Sequence, residues 1–132
     1  MKQQIFAGML ALLPISAMAE GTAQITPQAD VLTMINVWTP EEGKQAEFIE
    51  MLETALSGEL IAQPGFVSGN IHRSLDSDHV VMYAQWANQE ALEAFVAKLQ
   101  SGKAPEMAAA FRAATPDFHP YAVTATGLGQ EG

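Results

Sequence analysis

The chain has 132 residues, which is enough for one ordinary domain, and it contains no cysteine. The absence of cysteine excludes disulfides, thiol nucleophiles, iron–sulfur clusters and thiolate zinc sites. The formal net charge is −9, with six basic residues against fifteen acidic ones, and so acidic a surface repels nucleic-acid phosphates and anionic lipid head groups. We therefore expect neither nucleic acid nor, once any leader is removed, a membrane as a partner.

Residues 1–19 have the pattern of a secretory signal peptide. An apolar run follows Lys2, and Ala17-Met18-Ala19 then supplies the small-x-small site that a signal peptidase accepts. A membrane anchor is the alternative, but the run is about eleven residues long and a spanning helix needs ~20. We predict cleavage after Ala19, a periplasmic or secreted location, and a flexible leader over residues 20–30.

The first predicted strand, Val31–Trp38, is apolar on both faces apart from Thr33 and Asn36. The segment Thr39-Pro40-Glu41-Glu42 has the pattern of a capping box and predicts that a helix begins there. Apolar residues at helical spacing extend this helix to about Leu60.

The remaining elements follow from turn residues and periodicity. Two strands separated by a polar turn form a hairpin, a helix capped by Asn88 comes next, and another helix begins at Pro105. The predicted strands are Phe66–Leu75, Val80–Trp86 and His119–Thr126, and residues 127–132 are predicted to be a disordered tail.

The order β-α-β-β-α-β over residues 31–126 predicts an α+β, ferredoxin-like sandwich with an antiparallel sheet. Its helices cover one face of the sheet, so the other apolar face needs a cover. A second copy packed sheet to sheet is the simplest cover, and we expect a homodimer. We also expect strands one and three to lie side by side and parallel, with their C-terminal ends together.

That arrangement brings Asn36, Trp38 and Trp86 to one end of the sheet. Large aromatic side chains beside one polar group are typical of a site for a flat apolar ligand. Each residue also has a purely structural interpretation. Asn36 can tie down its own sheet or loop, and each tryptophan can close the end of the core.

The face occupied by His72 and Arg73 depends on the hairpin register. If Leu75 pairs with Val80, Arg73 shares the face of Trp86. A shift of one residue places His72 on that face instead. If Arg73 lies on the face of Trp86, it would pair with an acidic ligand group or neighbour. If His72 lies there, it would be a candidate general base.

The other polar candidates are few. His72, His79 and His119 have no spacing that suits a metal, so we predict no metal site. His119 is a second candidate base, and Tyr83 and Tyr121 are candidate hydrogen-bond donors to a substrate. No arrangement of residues typical of a nucleophilic hydrolase is present.

Several motifs resemble the antibiotic biosynthesis monooxygenase (ABM) family, a group within the dimeric α/β-barrel superfamily. They are N-x-x-T-P-x-x-G at Asn36–Gly43, Pro64-Gly65-Phe66, His72-Arg73-Ser74 and Tyr-x-x-Trp at Tyr83–Trp86. The resemblance extends over about Val31–Thr126. It implies a ferredoxin-like dimer whose two sheets form a barrel, with one pocket per subunit between sheet and helices.

Members of this family include oxygenases of aromatic rings and quinols that use O₂ without metal or flavin, and others that degrade haem. The resemblance assigns Asn36 and Trp86 to the haem-degrading site, but that site's helical histidine falls on or near Phe95. This departure argues against haem degradation and leaves haem as a minor alternative.

Two functions are therefore expected from the resemblance. The first is a cofactor-independent monooxygenase in which a phenol- or quinol-like substrate itself reduces O₂, with Asn36, Trp86 and His72 as catalytic residues. The second is a binding module for a small molecule or haem with the same fold and no turnover. In either case the resemblance and the pattern assign ligand contacts to the following residues: Trp38, Arg73, Tyr83, Phe95, His119 and Tyr121.

Overall fold

The computed structural model describes residues 21–27 and 30–130, so the expected signal peptide lies outside the described residues. Four strands and three helices are formed, and the first helix continues into a short π-helical turn. In chain order these are β1 (Leu32–Pro40), α1 (Gln45–Ala55), the π-helical turn (Leu56–Leu60), β2 (Phe66–Arg73), β3 (Val80–Trp86), α2 (Gln89–Gln100), α3 (Pro105–Ala113) and β4 (Ala114–Tyr121).

The strands form one sheet in the order β2-β3-β1-β4, and every neighbouring pair is antiparallel. The predicted α+β, ferredoxin-like fold is therefore confirmed. The expectation that strands one and three are parallel is wrong, because Leu32 lies opposite Trp86 and Trp38 lies opposite Val80. Trp38 and Trp86 consequently lie at opposite ends of the sheet.

The core lies between the helices and one face of the sheet. Alternate residues of β3, from Val80 through Met82 and Ala84 to Trp86, are buried, as expected for a strand with one face on the core. Trp38 from β1, together with Phe48 and Leu52 from α1, completes the most deeply buried set.

The first helix begins later than the capping-box pattern predicts. Thr39 and Pro40 belong to β1, and Lys44 occupies the N-cap position without a side-chain capping bond. The chain turns at Gly43, where φ is +80°, and the Gly43 N–H donates to Asp78 Oδ2 at 3.1 Å. This tie to the β2–β3 loop fixes where the helix begins.

The second helix begins where it is predicted. Asn88 is the N-cap residue, and its Oδ1 accepts a hydrogen bond from the Ala91 N–H at 2.9 Å. The last strand, in contrast, directly follows α3 and ends at Tyr121, several residues earlier than the predicted His119–Thr126. Pro116 and Pro120 argue against a strand in the sequence, because proline is rare inside strands. It occurs mainly at sheet edges, and β4 is an edge strand.

The N-terminal segment 21–27 contacts the sheet face that points away from the helices. Gln85 is 4% exposed, and its Nε2 donates to the Gln24 carbonyl at 2.8 Å. Ile35, Val37 and Val81 on the same face are half-buried. Within the described part of the chain, no helix is long and apolar enough to cross a membrane.

Candidate functional site

A cavity of about 120 Å³ lies between the helix-facing side of the sheet and helices α2 and α3. The two central strands supply its floor, since residues directly opposite one another in an antiparallel pair share a face. The floor residues are Met34, Asn36, Met82, Ala84 and Trp86. The sequence reasoning identified two of these, Asn36 and Trp86, as site residues.

One end of the cavity is closed by three aromatic rings, which we call the Trp86 cluster: Phe66, Trp86 and Phe95. The rings of Phe66 and Trp86 meet edge to face at 5.0 Å, and Trp86 and Phe95 lie 5.7 Å apart. Leu92 and Leu99 of α2 extend this wall. Trp86 is thus both packed in the core and part of the cavity wall.

The other end is bordered by a second group of rings, which we call the Trp38 cluster: Trp38, Phe48, Phe111 and Phe118. Trp38 packs against Phe48 at 5.2 Å and Phe111 at 4.8 Å, and Phe111 packs against Phe118 at 5.7 Å. Phe111 and Phe118 line the cavity, whereas Trp38 lies behind them with 0% exposure. Trp38 therefore closes the core, and its indole Nε1 is buried without a hydrogen-bond partner.

Asn36 carries the one polar side chain among the lining residues that the structure describes. It lies opposite Met82 on one side and Phe118 on the other, and its Oδ1 is buried without a hydrogen-bond partner. Leaving a buried acceptor unpaired costs about 1–3 kcal/mol, and a ligand that donates to this oxygen could recover the cost only if a neighbouring side chain moved to expose it.

The opening of the cavity is marked by its exposed lining residues. Val96 of α2 is 37% exposed and Phe118 of β4 is 45% exposed. Phe118 is the cross-strand neighbour of Asn36, so the amide lies near the opening. A ligand entering there can place a polar edge on Asn36 and an apolar body between the two aromatic clusters.

Four of the predicted site residues lie on the opposite face of the sheet. His72 pairs with Val81, Tyr83 and His119 both pair with Ile35, and Tyr121 pairs with Thr33. These positions alternate with the cavity residues along each strand, so none of the four side chains reaches the cavity. The exposed His119 instead lies 3.0 Å from Asp117 Oδ1.

The register of the hairpin places Arg73, rather than His72, on the face of Trp86. Arg73 pairs with Val80, and Val80 shares its face with Met82 and Trp86. Arg73 is nonetheless exposed at the far end of β2 and does not line the cavity.

The sequence reasoning missed much of the lining. Alternation along β3 from Trp86 would have found Met82, and helical spacing would have found Leu99 beside Phe95. Phe118 was missed because the last strand was placed too late in the chain. Met107 lies on the helix predicted to begin at Pro105, and helical position alone does not distinguish a cavity residue from a core residue.

A match to the ABM family model (antibiotic biosynthesis monooxygenase) extends over residues 31–113. The chain belongs to this family. The match includes β1, both hairpin strands and all three helices, which together supply almost all of the cavity lining. The family resemblance inferred from the motifs is confirmed.

Individual relatives are similar to this chain over different lengths. Tetracenomycin-F1 monooxygenase of Streptomyces glaucescens is 37% identical over 67 residues, which is 51% of this chain, and the chain spans 60% of that relative's length. SnoaB, a cofactor-independent oxygenase from Streptomyces nogalater, is 28% identical with a TM-score of 0.64 over 74% of this chain and 97% of SnoaB.

A further structure shares the fold. The ActVA-Orf6 monooxygenase of Streptomyces coelicolor, solved with nanaomycin D, has a TM-score of 0.61 and is 21% identical over 75% of this chain and 92% of its own. At this level of identity the likeness concerns the fold of the chain.

The residues of the cavity do not suit haem iron. No histidine is among the described lining residues, and the three histidines of the chain lie on the opposite sheet face or in the β2–β3 turn. In the described ranges, no three His, Asp or Glu side chains are grouped closely enough to hold a metal ion. The arrangement instead provides an apolar enclosure with one amide.

Proposed function

We propose that this ABM-family chain is a cofactor-independent monooxygenase that oxidises a hydroxylated aromatic compound with O₂ in the cavity beside Asn36. The observation that carries the proposal is the amide side chain of Asn36 among the otherwise hydrophobic and aromatic residues that line the cavity. The similarity to SnoaB, which is a cofactor-independent oxygenase, supports it.

The reaction needs no external reductant if the substrate supplies all the electrons. A phenol that gains one oxygen atom from O₂ at a ring carbon and loses two hydrogens becomes a quinone, and the second oxygen atom leaves as water. Electron transfer from substrate to O₂ forms charged species, and an enclosure that excludes water keeps them together. Asn36 would hold the substrate oxygen: its amide oxygen would accept from the hydroxyl, and after deprotonation its Nδ2–H would donate to the phenolate oxygen. Trp86 and Phe95 would flank the ring.

Proton removal has to occur without a basic side chain in the cavity. The candidate bases His72 and His119 lie on the other face of the sheet, and the described lining contains no ionisable residue. We propose that the substrate hydroxyl loses its proton to water at the opening near Phe118. The substrate's own pKa would then control the rate, in place of a general base of the protein.

Oxygen labelling tests this proposal. The purified protein, treated with a chelator, is supplied with ¹⁸O₂ and a phenol, and the quinone is analysed by mass spectrometry. We expect one labelled oxygen atom per quinone and O₂ consumption above autoxidation. Unlabelled product, or a requirement for added metal or flavin, would contradict it.

A binding protein without turnover is the second candidate, and the absence of an ionisable group in the described lining favours it. It would be stabilised by a phenol in a thermal melt but would consume no O₂. The same purified protein distinguishes the two functions.

We also propose that the protein acts after export, on the strength of the signal-peptide pattern in residues 1–19. N-terminal sequencing of the protein from a periplasmic or culture fraction should begin at Glu20. An intact Met1 in the cytoplasmic fraction alone would contradict export.

A further inference from the structure

We infer that the cavity selects a phenol with one ring and one hydroxyl, and that Met82 and Met107 set this limit. The inference rests on the proposed function only in taking the cavity as the ligand site. It predicts binding preferences, so it can be tested without any turnover.

The volume of the cavity argues for one ring. A dry apolar cavity of about 150 Å³ in another protein holds a single benzene molecule, whereas drug-sized ligands occupy pockets of about 300–1,000 Å³. The cavity described here measures about 120 Å³. A fused second or third ring therefore does not fit inside the cavity unless the walls move or the ring extends through the opening beside Val96 and Phe118.

The two ends of the cavity resist such movement. The Trp86 cluster closes one end through ring contacts at 5.0 and 5.7 Å. The Trp38 cluster borders the other end, where Phe111 is held against the fully buried Trp38 at 4.8 Å and only Phe118 lies at the opening. Lengthening the cavity would separate packed rings, which costs more than rotating a flexible side chain.

The adjustable part of the lining lies between these ends. Met34, Met82 and Met107 are unbranched thioethers that line the cavity and are at most 6% exposed. Methionine fills irregular gaps and has three rotatable bonds, so it is the side chain whose removal most readily enlarges the space. Met82 also lies directly opposite Asn36, so it limits the space beside the polar anchor.

The number of polar groups argues for one hydroxyl. Asn36 can receive one hydroxyl near the opening, but the described walls on both sides of it are apolar. A second hydroxyl at the far end of the ring would find no acceptor for its own proton, because the Trp86 indole N–H only donates, and burying that proton unpaired costs roughly 1–3 kcal/mol. A phenol should thus bind more tightly than the corresponding hydroquinone.

Calorimetric titrations in anaerobic buffer test the inference with phenol, hydroquinone, 1-naphthol and 9-phenanthrol. We expect phenol to bind the unaltered protein at least about tenfold more tightly than 9-phenanthrol, although greater apolar area alone would favour the larger compound. We expect hydroquinone to bind about tenfold more weakly than phenol.

Two enlarging variants and one matched control locate the limit. Met107→Ala and Met82→Ala should each improve the affinity for 1-naphthol relative to phenol by about tenfold. Met51→Ala truncates a partly buried methionine that packs against the core without lining the cavity, so it should leave the ratio unchanged. Thermal melts show whether each variant is folded. The comparison of the four ligands on the unaltered protein tests the inference even if a variant does not fold.

The outcomes separate this inference from the proposed oxygenase function. Tighter binding of 9-phenanthrol than of phenol by the unaltered protein would overturn the size limit. An equal ratio of 1-naphthol affinity to phenol affinity in all three methionine variants would also overturn it. Phenol preference without O₂ uptake in air would support the selectivity and count against the oxygenase. Uptake with 9-phenanthrol but not with phenol would support the oxygenase and overturn the selectivity.

Discussion

Asn36 has a buried amide oxygen with no hydrogen-bond partner, beside a cavity whose other described lining residues are apolar. Such an arrangement lowers the stability of the free protein, because the acceptor loses its water and gains nothing in return. Such a cost is accepted at binding sites, where ligand entry can rearrange the side chains that cover the acceptor and supply the missing donor.

Asn36→Leu should therefore stabilise the free protein by about 1 kcal/mol while weakening phenol binding. Urea unfolding measures the first effect and calorimetry the second. Asn70→Leu is the matched control, since Asn70 Nδ2 donates to the Tyr83 carbonyl at 3.0 Å and to Ser68 Oγ at 3.2 Å. That variant should lose about 1 kcal/mol or more, and a loss of stability in Asn36→Leu would mean that the amide has a structural role.

Gly65 is a second residue whose identity is fixed by its surroundings. Its φ is +83°, and a Cβ added there would overlap the Cβ of Ala91 on α2. The adjacent Phe66 is part of the Trp86 cluster, so the close approach of Gly65 to α2 positions the ring of Phe66 at one end of the cavity.

Gly65→Ala should destabilise the fold by more than about 2 kcal/mol, because strain and overlap add. Gly43→Ala separates the two causes, since Gly43 has a similar φ of +80° with nothing within 4 Å of an added Cβ. It should lose only about 1 kcal/mol in the same denaturant titration. Equal losses for the two variants would show that the contact with Ala91 contributes nothing.

Residue identities were easier to predict than their surroundings. Asn36 and Trp86 stand out in the sequence because a lone amide or an indole on an apolar strand is unusual. Whether His72 or Arg73 shares their face depends on the loop between β2 and β3, where a shift of one residue reverses the answer. The sequence alone left that register open.

Among the elements, the π-helical turn at Leu56–Leu60 connects α1 to α3. It carries Glu59, whose two carboxylate oxygens accept hydrogen bonds from the Glu106 and Met107 N–H groups at 2.7 and 2.8 Å. These amides are at the N-terminus of α3, where N–H groups lack helical partners. The turn thereby holds the helix that supplies Met107 and Phe111 to the cavity.

Glu59→Ala should cost about 1–2 kcal/mol and speed hydrogen exchange of the Met107 amide. Glu53→Ala, on the exposed side of α1, is the control and should leave both quantities unchanged within about 0.5 kcal/mol. Unaltered exchange at Met107 in Glu59→Ala would show that α3 is held by its core contacts alone.

Elements with a single strong local signal were predicted well. Asn88 marks the start of α2 because its side chain forms the capping bond itself. Thr39 and Pro40 carry an equally good capping pattern, yet pairing with β4 keeps both in β1, since Thr39 lies opposite Thr115 and Pro40 opposite Ala114. Tertiary pairing overrides local preference at that point. The π-helical turn has no comparable local signal.

At the scale of the whole molecule, the sheet face opposite the helices is only partly covered. Ile35, Val37 and Val81 are half-buried there, and the N-terminal segment 21–27 touches the face at Gln85. We expect a second copy to cover this face, because exposing contiguous apolar side chains to water is unfavourable and such patches usually mark interaction sites.

Light scattering at micromolar concentration should give the mass of a dimer for a protein comprising residues 20–132. Val81→Lys, which places a charge at the centre of this face, should halve that mass while preserving the fold by circular dichroism. A monomer for the unaltered chain would contradict the expected homodimer, and a dimer that survives Val81→Lys would move the interface elsewhere.

O₂ uptake with phenol tests most directly whether the cavity beside Asn36 is the reaction site. It is measured for the unaltered protein, Asn36→Leu and His72→Leu, each corrected for autoxidation. We expect uptake by the unaltered protein, a loss of at least about tenfold in Asn36→Leu, and near-unaltered uptake in His72→Leu. Full activity in Asn36→Leu with loss in His72→Leu would contradict this expectation and place the chemistry on the opposite face of the sheet.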